Sequence, residues 1–97
     1  MITLNRLAKR CFYIALKRKK MTETTSPKAV VLSISSEWRE LAEAGKERSN
    51  HIPSWSEREE EAADVIIATL TYLEKIGCND IEQLLKDKVE FNSYRTD

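Results

Sequence analysis

The chain has 97 residues, with 16 Lys or Arg balanced by 16 Asp or Glu, 41% hydrophobic residues, and only two glycines and two prolines. Such a length makes one small domain, and the scarcity of Gly and Pro alongside 33% charged residues excludes turn-rich sandwiches and doubly wound folds. What remains is all-α: a compact four-helix bundle-type domain whose core, in so small a chain, is expected to be completed by oligomerisation.

The first element expected is a basic amphipathic helix over residues 2–18, with Leu4, Leu7, Cys11 and Ile14 at helical spacing. Residues 1–20 hold seven basic side chains and no acid, leaving a body of nine basic against sixteen acidic residues. An ordinary amphipathic helix accounts for this segment better than a targeting leader does, or a patch that meets nucleic acid, membrane or phosphates. A linker over 19–26 follows, rich in Thr and ending in Ser26-Pro27, an N-cap and first-turn pair. The second helix is expected over 27–48, with Val30, Val31, Ile34, Trp38 and Leu41 on one buried face and Gly45 weakening its end.

Ser56-x-x-Glu59 has capping-box spacing and opens a third helix over 57–76, closed by Gly77. Asn79-x-x-Glu82 repeats that spacing before a fourth helix over 80–94, which carries Ile81, Leu84, Leu85, Val89 and Phe91. The longest apolar run, Ala62 to Leu70, contains Asp64 and Thr69 and is too short to span a membrane, so a soluble, cytoplasmic protein is expected. Cys11 and Cys78 lack metal or redox spacing, and a single histidine cannot build a zinc site.

Several carboxylates fall where surface acids have no need to be. Glu37 projects onto the apolar side of the second helix with Glu40 at its margin, and Glu57, Glu60, Glu61 and Asp64 gather on one side of the third. Burial of an uncompensated carboxylate costs several kcal/mol. The i, i+3 pairs Glu37/Glu40 and Glu61/Asp64, converging across adjacent helices, suit a hard cation such as Mg2+, with Mn2+ an alternative. On the fourth helix Lys88, Asn92 and Arg95 share one face at i, i+4 and i+7. The plainer reading of these residues is a dipole-favoured acidic first turn and a solvated basic end.

In order, Glu37-Trp-Arg-Glu40, twenty intervening residues, Glu61-Ala-Ala-Asp64 and then Lys88-Val-Glu-Phe-Asn92 with Arg95 resemble the MazG-like, all-alpha nucleoside triphosphate pyrophosphohydrolases over residues 28–95. Ser36 stands where family members often carry a further Glu, and the loop between the acidic motifs is short. The resemblance implies Mg2+-dependent hydrolysis of ribo- or deoxynucleoside triphosphates to monophosphate and pyrophosphate. Glu37, Glu40, Glu61 and Asp64 would be the metal ligands and catalytic acids, and Lys88, Asn92 and Arg95 the phosphate- and sugar-binding residues. Trp38 and Trp55 would be candidates for stacking on the base, and the assembly a homodimer or homotetramer. The competing expectations are a non-catalytic binding or regulatory module of the same fold and a bundle docking on nucleic acid through its basic helix; the acidic body speaks against the latter.

Overall fold

The computed structural model describes residues 2–96. It contains four helices, α1 (Leu4–Lys17), α2 (Pro27–Glu43), α3 (Glu57–Lys75) and α4 (Ile81–Ser93), and no named strand among the described residues. The longest helix, α3, is the spine: α1 and α2 both pack along it, while α4 meets α1 more lightly. Buried Ala8, Cys11, Leu70 and Ile81 form the core, with Leu4, Leu7, Leu73 and Cys78 packed around them. Cys11 and Cys78 are free thiols, and burial pushes the Cys11 pKa up.

Local chemistry sets the helix ends. Ser26 Oγ accepts from the Ala29 amide ahead of Pro27, and the Ser56/Glu59 capping box forms with both reciprocal bonds, at 3.2 and 3.0 Å. Gly77, at φ 80°, closes α3: the Cys78 amide donates to the Leu73 carbonyl and the Gly77 amide to Glu74, the paired bonds of a Schellman motif. The same motif closes α1, where no glycine announces it. There Lys19 takes φ 59°, Lys20 N–H donates to Ala15 and Lys19 N–H to Leu16. The turn reverses the chain and buries Met21.

Two boundaries differ from the sequence expectation. α2 stops at Glu43 instead of Arg48, because residues 44–56 fold back on the start of α3 and find other backbone partners. Arg48 and Ser56 pair as an antiparallel bridge, Glu57 N–H donates to the Glu47 carbonyl at 2.7 Å and Arg58 N–H to Gly45 at 3.2 Å. The fourth helix is capped by Asp80, one residue beyond the expected Asn79. Asn5 of α1 supplies the rest: its Oδ1 accepts from Ile81 N–H at 2.7 Å, its Nδ2 donates to Asp80 Oδ1 at 3.0 Å, and its own amide donates to Glu82.

The expected buried faces are only partly covered within one protomer. Val30 is buried and Ile34 and Leu41 half-buried, but Val31 and Trp38 are exposed, Trp38 by 65%. Ile66 and Ile67 on α3 and Leu84, Leu85, Val89 and Phe91 on α4 are exposed as well, since α4 is anchored by Ile81 and little beyond its first turn.

Two substitutions test this account. Asn5→Ala leaves the first amides of α4 without acceptors and should lower unfolding free energy by about 1–2 kcal/mol in urea titration. Lys19→Gly removes the Cβ conflict of a left-handed residue and should raise it by about 1 kcal/mol. A destabilised Lys19→Gly protein would contradict the Schellman closure of α1.

Candidate metal centre

The seam between α2 and α3 gathers the acids. Glu37 from the middle of α2, and Glu61 and Asp64 one turn apart on α3, each present a carboxylate oxygen, and the three atoms lie within 4.8 Å of one another. All three side chains are half-buried. Oε2 of Glu61 is shut off from solvent and accepts no hydrogen bond among the described residues, an arrangement uncommon for a buried polar atom. Octahedral coordination at about 2.1 Å spaces ligand oxygens about 3–4 Å apart, so small rotamer adjustments would let the three oxygens share one hard cation.

Electrostatics agree with that geometry. Burial raises the pKa of Glu37, with the charges of Glu40 and Asp64 adding to it. Burial also raises Glu61, followed by the charge of Asp64, and Asp64, followed by the charge of Glu60. Glu40 is exposed and stands outside the triad. The seam separates two cavities. One, of about 390 Å3, lies among α1, the linker, α2 and α3 and receives Glu37 and Asp64. The other, of about 310 Å3, receives Glu40 and Glu61 and is lined as well by the loop residues Asn50 and His51.

The 44–56 loop is tied to α3 beside the triad. Buried Ser49 donates from its hydroxyl to Glu60 Oε1 and accepts from the amides of His51 and Ile52. His51 Nδ1 lies 2.7 Å from Glu60 Oε2. These partners hold the Glu60 pKa below the usual carboxylate range, the Ser49 bond first and the His51 bond second, and the bond to Glu60 raises His51. The sequence offered no periodic signal for this arrangement, because Ser49 and His51 lie in irregular chain and meet Glu60 only through the fold-back.

The remaining sequence candidates sit elsewhere. Lys88, Asn92 and Arg95 line neither cavity; Lys88 Nζ lies 4.8 Å and Arg95 Cζ 5.8 Å from the Phe91 ring centre. Trp38 and Trp55 are both more than half exposed and also line neither cavity. The cations that do line the larger cavity are Arg18 and Lys20, from the end of α1 and the start of the linker. No helix among the described residues is long and apolar enough to cross a membrane. No family model matches the chain, and neither the curated proteins nor the solved structures give a match.

The raised carboxylates fix the sign of the pH dependence. Unfolded, Glu37 and Glu61 titrate near 4.5 and Asp64 near 3.8. The folded chain holds these protons more tightly, so their ionisation destabilises it as pH rises from those values through the raised ones. Lowered Glu59, Glu60 and Asp80 act oppositely, their stabilisation being lost as pH falls through their depressed values. With chelator present, scanning calorimetry should show the melting temperature falling as pH rises through the triad's window, and Glu61→Gln should flatten that slope. An unchanged slope would remove Glu61 from the coupled set.

Proposed function

We propose that the protein is a divalent-cation-dependent nucleoside triphosphate pyrophosphohydrolase, related to the MazG-like enzymes that its motifs resemble. The observation that carries this reading is the convergence of Glu37, Glu61 and Asp64 with one buried, unpartnered carboxylate oxygen. Such a cluster is unfavourable by itself, and a hard cation compensates it. Mg2+, or Mn2+ in its place, would draw charge from the phosphate oxygens and make an attacking water more acidic. Glu37, Glu61 and Asp64 are the ligands in this reading. Glu40, exposed and one turn along α2 from Glu37, orients the water or takes its proton. The products are a monophosphate and pyrophosphate.

A homodimer or homotetramer belongs to the same proposal. The exposed Trp38, Ile66, Val89 and Phe91 leave apolar side chains on three helices that a second copy of the chain would cover. The position of Lys88, Asn92 and Arg95 away from both cavities favours one second reading, a metal-binding regulatory module of the same fold without turnover.

Release of pyrophosphate from a panel of ribo- and deoxynucleoside triphosphates, with Mg2+ and with chelator, separates the two. Metal-dependent release with the monophosphate as co-product is expected. Glu61→Gln and Asp64→Asn should each reduce it about a hundredfold or more while helical circular dichroism is retained. Full activity in both variants would end the assignment of the triad. Mg2+ at a hundredfold excess over its Kd should also stabilise the folded protein by about 2.7 kcal/mol. A melting temperature insensitive to millimolar Mg2+ would contradict the metal centre.

A further inference from the structure

The two cavities that meet at the carboxylate seam differ in sign. The smaller is lined by Glu40, Glu43, Glu57, Glu60 and Glu61, with His51 the one basic group among its lining residues. An anion approaching from that side meets five carboxylates. The larger cavity has only Glu37 and Asp64 as acids, and Arg18 and Lys20 stand in its wall. Resting on the reading of the seam as a metal centre, we propose that Arg18 and Lys20 hold the phosphate chain of a nucleoside triphosphate against the triad, its uncharged end lying in the larger cavity.

The backbone accounts for the placement. Left-handed Lys19 ends α1 and reverses the chain, so that Arg18 and Lys20, separated by one residue, both contribute to the cavity wall, and the next residue, Met21, is buried there. Non-glycine residues held in this conformation concentrate where structure serves a site. Neither Arg18 nor Lys20 forms an ion pair among the described residues, and the Lys20 charge acts on both Glu37 and Asp64. A guanidinium fork and an ammonium point charge are complementary phosphate partners. Beyond the charged end, Ile14, Met21, Val30 and Ile67 give the cavity an apolar surface and Ser33 and Thr71 add hydroxyls. Its volume of about 390 Å3 falls within the range of about 300–1,000 Å3 for small-molecule sites.

The test uses the full chain loaded with Mn2+ and inorganic pyrophosphate as the calorimetric probe. Wild-type protein should bind pyrophosphate, and the Arg18→Ala/Lys20→Ala double variant should bind it about tenfold or more weakly, with Mn2+ affinity retained or tightened. The charge-retaining Arg18→Lys/Lys20→Arg variant should recover most of the loss, and Lys88→Ala/Arg95→Ala should bind as wild type. Unchanged pyrophosphate affinity in Arg18→Ala/Lys20→Ala, or a loss confined to Lys88→Ala/Arg95→Ala, overturns the proposal. Turnover distinguishes its failure from that of the hydrolase reading. Pyrophosphate binding that depends on Arg18 and Lys20, without release from any nucleoside triphosphate, removes the enzyme and leaves this subsite. Hydrolysis with unchanged KM in the double variant removes the subsite and leaves the enzyme.

Discussion

Three carboxylates drawn together between two packed helices repel one another, and burial weakens the solvent's ability to screen them. Glu37, Glu61 and Asp64 are in that condition, and the raised pKa of each records its cost. Lys20 offsets part of the charge on Glu37 and Asp64, while Oε2 of Glu61 has no partner among the described residues. Below the seam α2 and α3 continue as an ordinary helix pair, with Val30 buried on one and Leu70 and Thr71 on the other. The seam is therefore a local departure from a fold that elsewhere buries small and apolar groups, and local departures of this kind are where function is sought.

Helix ends, more than helix faces, decide what surrounds the seam. At the start of α3 the Ser56/Glu59 box fixes the first turn and leaves Glu60 to Ser49 and His51. That bond set draws the 44–56 loop over Glu61 and puts an acidic cavity on one side. At the end of α1 the left-handed Lys19 brings two cations to the other side. The two halves of the site thus acquire opposite character from two short segments, neither of which is helical where it matters.

The first helix serves the fold in a way its basic charge does not suggest. Ala8 and Cys11 on its apolar face join the core, while Asn5 receives the start of α4 through its side chain. Lys9 pairs with Glu74 at 3.3 Å; such exposed pairs contribute little to stability. Most of the excess charge at this end stays in solvent, and Arg18 and Lys20 are exposed as well as cavity-lining. Electrostatic attraction at this terminus is thus available for a ligand.

Periodicity and capping chemistry by themselves determined the class, the number of helices, all four starts to within two residues, and the acidic pairs on α2 and α3. These are local properties: the apolar spacing, Ser26-Pro27, Ser56-x-x-Glu59 and Gly77 act within a turn or two of chain. The i, i+3 spacing led to the expectation that four acids, Glu37, Glu40, Glu61 and Asp64, converge; the fold brings Glu37, Glu61 and Asp64 together and leaves Glu40 exposed outside them. Tertiary structure alone decided that α2 ends early, that Asp80 and Asn5 share the capping of α4, and that Ser49 and His51 bind Glu60. It also decided that Arg18 and Lys20, rather than Lys88 and Arg95, lie by the carboxylates within the protomer. Helical periodicity carries no information past a cap, and a left-handed lysine has no sequence signature, so the direction taken by the chain after each helix depends on what the rest of the fold offers it.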